Sequence, residues 1–334
     1  MAEMRPVRIA ATGMYVPPKV VTNKDLEAIM DTSDEWIRQR SGIECRRQIE
    51  GEVGTSDLAL KAAEEAIQRS GLSKDDIDLI ILATLSPDHQ FPGSSAILQA
   101  KLGMESTPAM DIRCQCSGFL YSLNVGKMFI QTGQYDHVLV VGAETHSPVL
   151  DMTTRGRDVA VLFGDGAGAV VLGPSTQNDS QILDFVLHTQ GAFANKLWIE
   201  RPGTAGGRWI SEEDKEMGRT FPFMEGRYVF KHAVTRLCQA VQEVLELNLV
   251  KLEDVDHFLF HQANLRINEK VAETLSIPPE KLHNNIQKYG NCSAASIPML
   301  LNECVSEERI KRGELVLMAA FGAGFTWAAN LVRW

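Results

Sequence analysis

Apolar and polar positions along this chain switch repeatedly between a period of two and a period near 3.6. Residues 8–16 (Arg8-Ile9-Ala10-Ala11-Thr12-Gly13-Met14-Tyr15-Val16) predict a first strand ending at Pro17-Pro18. Thr22-Asn23-Lys24-Asp25-Leu26 predicts a helix start with Asn23 as N-cap, and residues 32–38 open a second helix. A longer helix starts at Ser56-Asp57 and continues over 58–70, with Leu60, Ala63, Ala66 and Ile67 on one face and Gly71 as its stop. Residues 78–84 then read as a buried strand. Thr107-Pro108-Ala109-Met110 predicts a short strand and 120–130 an apolar helix, so Cys116 falls where one hands over to the other.

The second half repeats the pattern. An offset of 178 sets Asp78 on Asp256, residues 62–67 on 240–245 and residues 79–83 on 257–261. Residues 137–142 resemble 314–319 at an offset of 177, and Cys116 lands opposite Asn291 or its neighbour. Landmarks in one order at nearly one offset predict an internal duplication into α/β halves of roughly 175 residues. The halves are residues 1–174 and 175–334, with a seam at the polar stretch Pro174-Ser175-Thr176-Gln177-Asn178-Asp179. If each half brings its strand ends to a shared interface, Cys116, His261 and Asn291 meet there from corresponding strand ends.

Composition narrows the classes. With 334 residues and 44% hydrophobic content, the chain can bury a large core. A net charge of −10 and a pI near 5.4 argue against nucleic acid as the main partner. Residues 1–10 lack the apolar run of a signal peptide, and no segment has the length of a membrane span. Six cysteines are too sparse for a disulfide scaffold, so reduced thiols and a cytoplasmic setting are expected.

Candidate chemistry gathers at a few places, each with a plain structural reading beside the functional one. At a strand-to-helix junction, unpaired backbone N–H groups and the positive helix end favour a Cys116 thiolate, the nucleophilic form; free cysteines are also commonly small buried hydrophobes. His261, after the run Phe258-Leu259-Phe260, is a donor candidate or a hydrogen-bonded structural residue. Gly290-Asn291-Cys292-Ser293-Ala294-Ala295-Ser296 heads the apolar helix Ile297-Pro298-Met299-Leu300-Leu301, either presenting an amide or simply packing closely. Residues 320–327 and Gly164-Asp165-Gly166-Ala167-Gly168 are glycine-rich without phosphate-loop or dinucleotide spacing, and the second reads as a turn between strands. Cys114-Gln115-Cys116 has no second pair at ligand spacing, so no metal is expected.

Taken in order, these segments resemble β-ketoacyl-acyl-carrier-protein synthase III, a condensing family of the thiolase superfamily. The likeness runs from Ile9 to Trp334. It is carried by residues 31–37, Cys116-Ser117-Gly118-Phe119, residues 163–168, His261-Gln262-Ala263-Asn264-Leu265-Arg266, Gly290-Asn291 with 293–296, and Phe325-Thr326-Trp327. The resemblance implies a thiolase-like duplicated five-layered αβαβα fold and a Cys116, His261, Asn291 catalytic trio. It implies acylation of Cys116 by an acyl-CoA, then decarboxylative condensation with malonyl-acyl-carrier-protein, no cofactor, and an oxyanion held by the N–H groups of Cys116 and Ala323. It further implies that Trp36 and Arg155 sandwich the adenine of coenzyme A, with Arg40, Asn264 and Arg266 along the pantetheine and phosphate channel. Phe321 would line the acyl pocket, Phe91 would reach into that of the partner in a homodimer, and Lys231 and Arg266 would dock the carrier protein.

This chain departs from the family pattern at several points. Ala323 stands where glycine is usual, which narrows space and restricts φ. Cys292 follows Asn291 where threonine is common. Glu273-Thr274 occupies an expected basic pair, although Lys270 lies on a nearby face. Residues 191–230 are longer than in simple members and predict a loop with a short helix that reshapes the acyl pocket. Other readings stay open: a specialised ketosynthase or acyltransferase, a silent carrier-binding dimer, or a papain-like Cys-His-Asn hydrolase.

Overall fold

The computed structural model describes residues 4–176, 180–207 and 209–334; the Gln177–Asp179 part of the expected seam lies outside the described residues. The first half supplies β1 (Val7–Tyr15), β2 (Lys19–Thr22), α1 (Asn23–Glu27), α2 (Asp34–Ser41), β3 (Cys45–Gln48), α3 (Thr55–Ser70), β4 (Leu79–Ala83), α4 (Ser94–Lys101), β5 (Ala109–Ile112), α5 (Gly118–Gln131), β6 (Val138–Glu144), α6 (Arg157–Ala160) and β7 (Gly166–Pro174). The second supplies β8 (Gln181–Thr189), β9 (Leu197–Trp198), α7 (Glu212–Glu216), β10 (Phe223–Met224), α8 (Gly226–Leu247), β11 (His257–Phe260), α9 (Leu265–Leu275), β12 (Leu282–His283), α10 (Ile286–Tyr289), α11 (Ser296–Ser306), β13 (Leu315–Gly322) and β14 (Thr326–Arg333).

Two five-stranded sheets have matching topology, β1-β7-β6-β4-β5 and β8-β14-β13-β11-β12. The pattern of antiparallel and parallel pairings is the same in both. Leu79 lies beside Val138 and His257 beside Val316, so the sheets correspond at an offset of 178. From one side to the other the layers are α3 with α4, the first sheet, α5 with α11, the second sheet, and α8 with α9. This is the duplicated five-layered αβαβα fold that the resemblance implied.

Layer position explains composition. Helices α3 and α8 bury one stripe, whereas α5 and α11 lie between two sheets and are apolar over most of their surface. Strands β4 and β6 have helices on both faces and are buried throughout, which is why they read as unbroken apolar runs rather than alternating ones. No helix among the described residues is long and apolar enough to cross a membrane.

Some local expectations change. Thr22, not Asn23, caps α1: its hydroxyl accepts from Asp25 N–H while the Asp25 carboxylate accepts from Thr22 N–H. Asn23 is buried instead, donating to Ile43 O and Asp34 and accepting from the buried Arg46 guanidinium. The 191–230 segment contains the expected short helix (α7) and also a ribbon of β9 with β10 that loop chemistry did not announce.

Both central helices are entered through 3-10 turns, Gln115–Ser117 before α5 and Ser293–Ala295 before α11. Gln115 and Ser293 hold φ values of 42° and 44°, a left-handed conformation costing a residue with a side chain about 1–2 kcal/mol. They correspond at the sheets' own offset, so the counterpart of Cys116 is Ala294 and not Asn291. The expected correspondence matched polar residue types, whereas the backbone matches the turns. His261 follows β11, the counterpart of β4, while Cys116 and Asn291 lie on the loops leading to α5 and α11. The three therefore do not come from corresponding strand ends.

Strand β6 packs directly on the Ser293–Ala295 turn, and a Cβ at Gly142 would overlap the carbonyl of Ala294. Gly142→Ala is expected to cost about 2–3 kcal/mol of stability as overpacking against backbone. A lowered denaturation midpoint by fluorescence would register it; an unchanged midpoint would contradict this packing.

Candidate active site

The 3-10 turns that open α5 and α11 meet between the sheets, and the candidate trio collects there. Cys116 is 8% exposed, His261 3% and Asn291 6%. Residues 293–296 touch all three. Ser293 Oγ–H donates to Cys116 Sγ at 3.5 Å, Ser293 N–H donates to Asn291 Oδ1 at 2.8 Å, and Ser296 Oγ lies 2.6 Å from His261 Nδ1.

Each bond fixes a chemical role. With its oxygen accepting from Ser293, the Asn291 amide is left with its NH2 group to present. Ser296 Oγ also accepts from Gln262 N–H at 3.3 Å; a Ser296 proton given to His261 Nδ1 leaves the ring proton on Nε2, which is buried without a partner among the described residues. Burial, with the nearby His146 adding to it, pulls the His261 pKa down to about 3. His261 is thus neutral at pH 7, and in that tautomer it offers Nε2–H.

Asn291 is positioned by backbone. Its N–H donates to Leu162 O at 2.8 Å and its carbonyl accepts from Gly164 N–H at 3.1 Å, forming a parallel bridge at Phe163. A Cβ at Gly164 would run into the Tyr289 carbonyl. Residues 164–168 are structural, but they are not the turn expected between strands: Gly164 and Asp165 lead into β7, which Gly166 opens, and Asp165 anchors this entry by accepting from Ile49 N–H, His146 N–H and Ser147. Gln262 is spent on structure too, accepting from the N–H groups of Asn285 and Ile286 and donating to Phe260 O.

Around Cys116 the second sheet comes very close. A Cβ on Gly322 would stand 2.9 Å from Cys116 Cβ, so only glycine permits the approach. The N–H groups of Cys116 and Ala323 both face the sulfur. Ala323 has no positive φ; Gly324, at 132°, takes the turn's demanding conformation, so the alanine carries no backbone penalty. Thr326 Oγ1 lies 2.6 Å from Ser117 Oγ, joining the β13–β14 turn to the cysteine turn.

The expectation of a stabilised thiolate needs correcting. Burial pushes the Cys116 thiol up to about 11; Ser293 Oγ–H and the two N–H groups pull it down only in part, and the Glu144 carboxylate pushes it higher. Desolvation here outweighs the helix ends, and the free site holds a thiol. The Cys114 thiol is half-buried and is also raised by burial.

Further out, Arg40 and Arg157 lie over the Trp36 ring at 5.4 and 5.6 Å. Arg155 lies over Phe221 at 5.5 Å, bonds Asp151 at 2.5 Å and donates to Glu216 O. The 191–230 segment thus grips Arg155 directly. At its other end Phe193 lies 5.8 Å from Phe325, which stacks edge-on with Phe321 at 4.8 Å. Asn264 caps α9 and donates to Arg40 O at 2.9 Å. Lys231 and Arg266 are exposed, Lys270 is paired with Glu273 at 2.9 Å, and Phe91 is 87% exposed. Sequence reasoning missed Ser293, Ser296, Arg157 and Glu144. Ser293 and Ser296 stood inside a quoted motif without an assigned role, and nothing local marked Arg157 or Glu144.

With a thiol pKa near 11, alkylation of Cys116 by iodoacetamide should keep accelerating through about pH 10, whereas an ordinary exposed cysteine levels off a little above its pKa of about 8.5. Peptide-resolved mass spectrometry reads this site by site. A plateau below pH 9 at Cys116 would contradict the buried-thiol assignment.

Comparison with known proteins gives the family. Family models described as 3-oxoacyl-[acyl-carrier-protein] synthase III match residues 110–191, and as its C terminal, residues 229–334. β-Ketoacyl-[acyl-carrier-protein] synthase III from Helicobacter pylori is 44% identical over 325 residues, 97% of each chain. The enzyme of that name from Xanthomonas campestris is 44% identical over 98% of each chain. The crystal structure of 3-oxoacyl-[acyl-carrier-protein] synthase III from Aquifex aeolicus superposes with a TM-score of 0.89 at 43% identity, covering 98% of this chain and 100% of that one. Identity at this level covers nearly the whole of each chain, and so this chain belongs to the β-ketoacyl-[acyl-carrier-protein] synthase III family of acyl-transferring condensing enzymes.

Proposed function

We propose that Cys116, His261 and Asn291 are the catalytic residues of a fatty-acid-initiating condensation. The observation that carries this reading is the 293–296 segment, which touches all three and leaves two N–H donors and one sulfur unengaged by other chemistry. Cys116 sulfur attacks the carbonyl of an acyl-CoA, the carbon–sulfur bond to coenzyme A breaks, and the thiol proton ends on the departing coenzyme A sulfur. The N–H groups of Cys116 and Ala323 hold the oxyanion of that step.

Malonyl-acyl-carrier-protein then enters. His261 Nε2–H and the Asn291 NH2 donate to its thioester oxygen, so the enolate formed as CO2 leaves is stabilised where charge develops. The enolate carbon attacks the acyl-Cys116 carbonyl, and collapse of the adduct expels the cysteine sulfur and gives β-ketoacyl-acyl-carrier-protein. A neutral histidine suits this role, since it must donate without first losing a proton. No bound cofactor enters any step.

The outer residues fit the substrates by chemistry. Trp36 and its cations suit an adenine and its phosphates, by stacking and charge; Arg157 joins Trp36, Arg40, Arg155, Asn264 and Arg266 in this proposal. Exposed Phe91 supports a homodimer in which it enters the partner's acyl pocket beside Phe321. Lys231 and Arg266 are the proposed contacts for the acidic carrier protein, and the setting is cytoplasmic. The 191–230 segment, reaching both Arg155 and Phe325, is proposed to favour a primer other than acetyl. A priming β-ketosynthase from the R1128 polyketide pathway, 30% identical with a TM-score of 0.89, has the same fold and keeps a specialised pathway as the second reading.

The test is intact-mass measurement of the protein with acyl-CoAs from acetyl to dodecanoyl, followed by a malonyl-carrier-protein chase. Wild type is expected to gain acyl mass and lose it as β-ketoacyl product, while Cys116→Ala gains none. His261→Ala and Asn291→Ala should still be acylated but condense about 10²–10³-fold more slowly. Acylation without condensation in wild type would favour acyl transfer instead, and a strong preference for acetyl would overturn the primer proposal.

A further inference from the structure

Glu144, the last residue of β6, is fully buried and has no part in the chemistry above. Its carboxylate accepts from Thr84 Oγ–H at 3.0 Å, Leu85 N–H at 3.1 Å, Ser86 N–H at 3.1 Å and Ser86 Oγ–H at 2.6 Å, all on the loop after β4. Its other oxygen accepts from Ala294 N–H at 3.4 Å, across the interface between the halves. His146 Nε2 stands 4.0 Å away, with the ring's Nδ1 2.9 Å from Gly164 O. Burying a charge is tolerable only with such a set of donors.

The duplication says what this position is. At the sheets' offset of 178, Cys116 corresponds to Ala294, Ala323 to Thr145, and Gly322 to Glu144. The N–H pair that faces the sulfur in one half therefore has a counterpart in Ala294 N–H and Thr145 N–H. Those two do not face a pocket. Ala294 N–H is taken by Glu144, and Thr145 N–H by Ser86 Oγ at 2.9 Å, which in turn donates to Glu144. Where Gly322 lets one half's turn present its N–H groups to a substrate, the other half's turn is plugged by its own carboxylate.

We propose that Glu144 is a positioning residue for the active site, fastening the turn at Ala294 so that Ser293 holds Cys116 with its hydroxyl and Asn291 with its N–H. The turn needs such a fastening because Ser293 sits at a positive φ, from which an unrestrained chain would relax. The carboxylate also reaches Cys116 electrostatically, which agrees with its place beside the sulfur's turn. This inference rests on the acyl-cysteine reading for its kinetic readout.

The test is a double-mutant cycle of Glu144→Gln and Ser293→Ala, read as the rate of Cys116 acylation by acyl-CoA and repeated with iodoacetamide. Each single variant is expected to slow acylation about 10-fold or more, the usual scale for losing a hydrogen bond involving a charged group. The double variant should be no slower than the slower single one, because Glu144 acts through Ser293. The acyl-CoA concentration for half-maximal rate should stay within about twofold, since a merely loosened fold would move both constants. Multiplying losses in the double variant, or Glu144→Gln within twofold of wild type, would overturn the proposal. If Glu144→Gln does not fold, Glu144→Asp, one methylene shorter toward Ala294, must show the same coupling to Ser293→Ala. The iodoacetamide arm needs no acyl-CoA, so failure of this inference is distinguishable from failure of the acyl-CoA reading.

Discussion

The structure depends on one short stretch of backbone, residues 293–296, wedged between two sheets at the start of a buried helix. Its amide and two hydroxyls reach an asparagine, a cysteine and a histidine that are otherwise held by unrelated elements. Hydrogen bonds weaken steeply with distance and angle, so one segment bonded to three groups fixes their mutual geometry more tightly than three independent supports. The surrounding fold serves that segment. Strand β6 meets it with Gly142, strand β13 brings Gly322 against the cysteine turn, and the Phe163 bridge pins Asn291.

Burial is the second theme, and it acts in opposite senses on the two titratable members of the site. A dry site removes the charge from both the thiol and the imidazole, because neither has a full counterion. On the proposed mechanism, in which the histidine donates a hydrogen bond, this is useful. For the cysteine it means that the resting sulfur is a thiol, with the N–H groups of Cys116 and Ala323 beside it. A resting thiol is also less open to oxidation than an exposed thiolate.

Duplication explains how one fold builds an asymmetric site. Both halves present a 3-10 turn with a left-handed residue at the start of a central helix. One turn carries a sulfur and meets a glycine; the other carries an alanine and meets a glutamate. The same backbone thus presents a cysteine on one side and, on the other, an alanine whose N–H is taken by a carboxylate, and the difference lies in four residues rather than in topology.

Much of this was legible in the chain. The apolar run within 78–84 marked a buried strand, the repeat near 178 marked the duplication, and the cysteine, histidine and asparagine stood out by type and context. These signals are local, because side-chain periodicity and capping chemistry are set within a few residues. What tertiary structure alone decided is which partners each residue meets. Asn23 looked like a cap and became a buried ligand of Arg46; Arg155 packs on Phe221, and Arg157, which no motif singled out, lies over Trp36. The Cys116 thiol was raised rather than lowered, since desolvation depends on everything packed around a sulfur and not on the helix that carries it. Long-range hydrogen bonds such as Ala294 to Glu144 join residues 150 apart, and no local pattern encodes them.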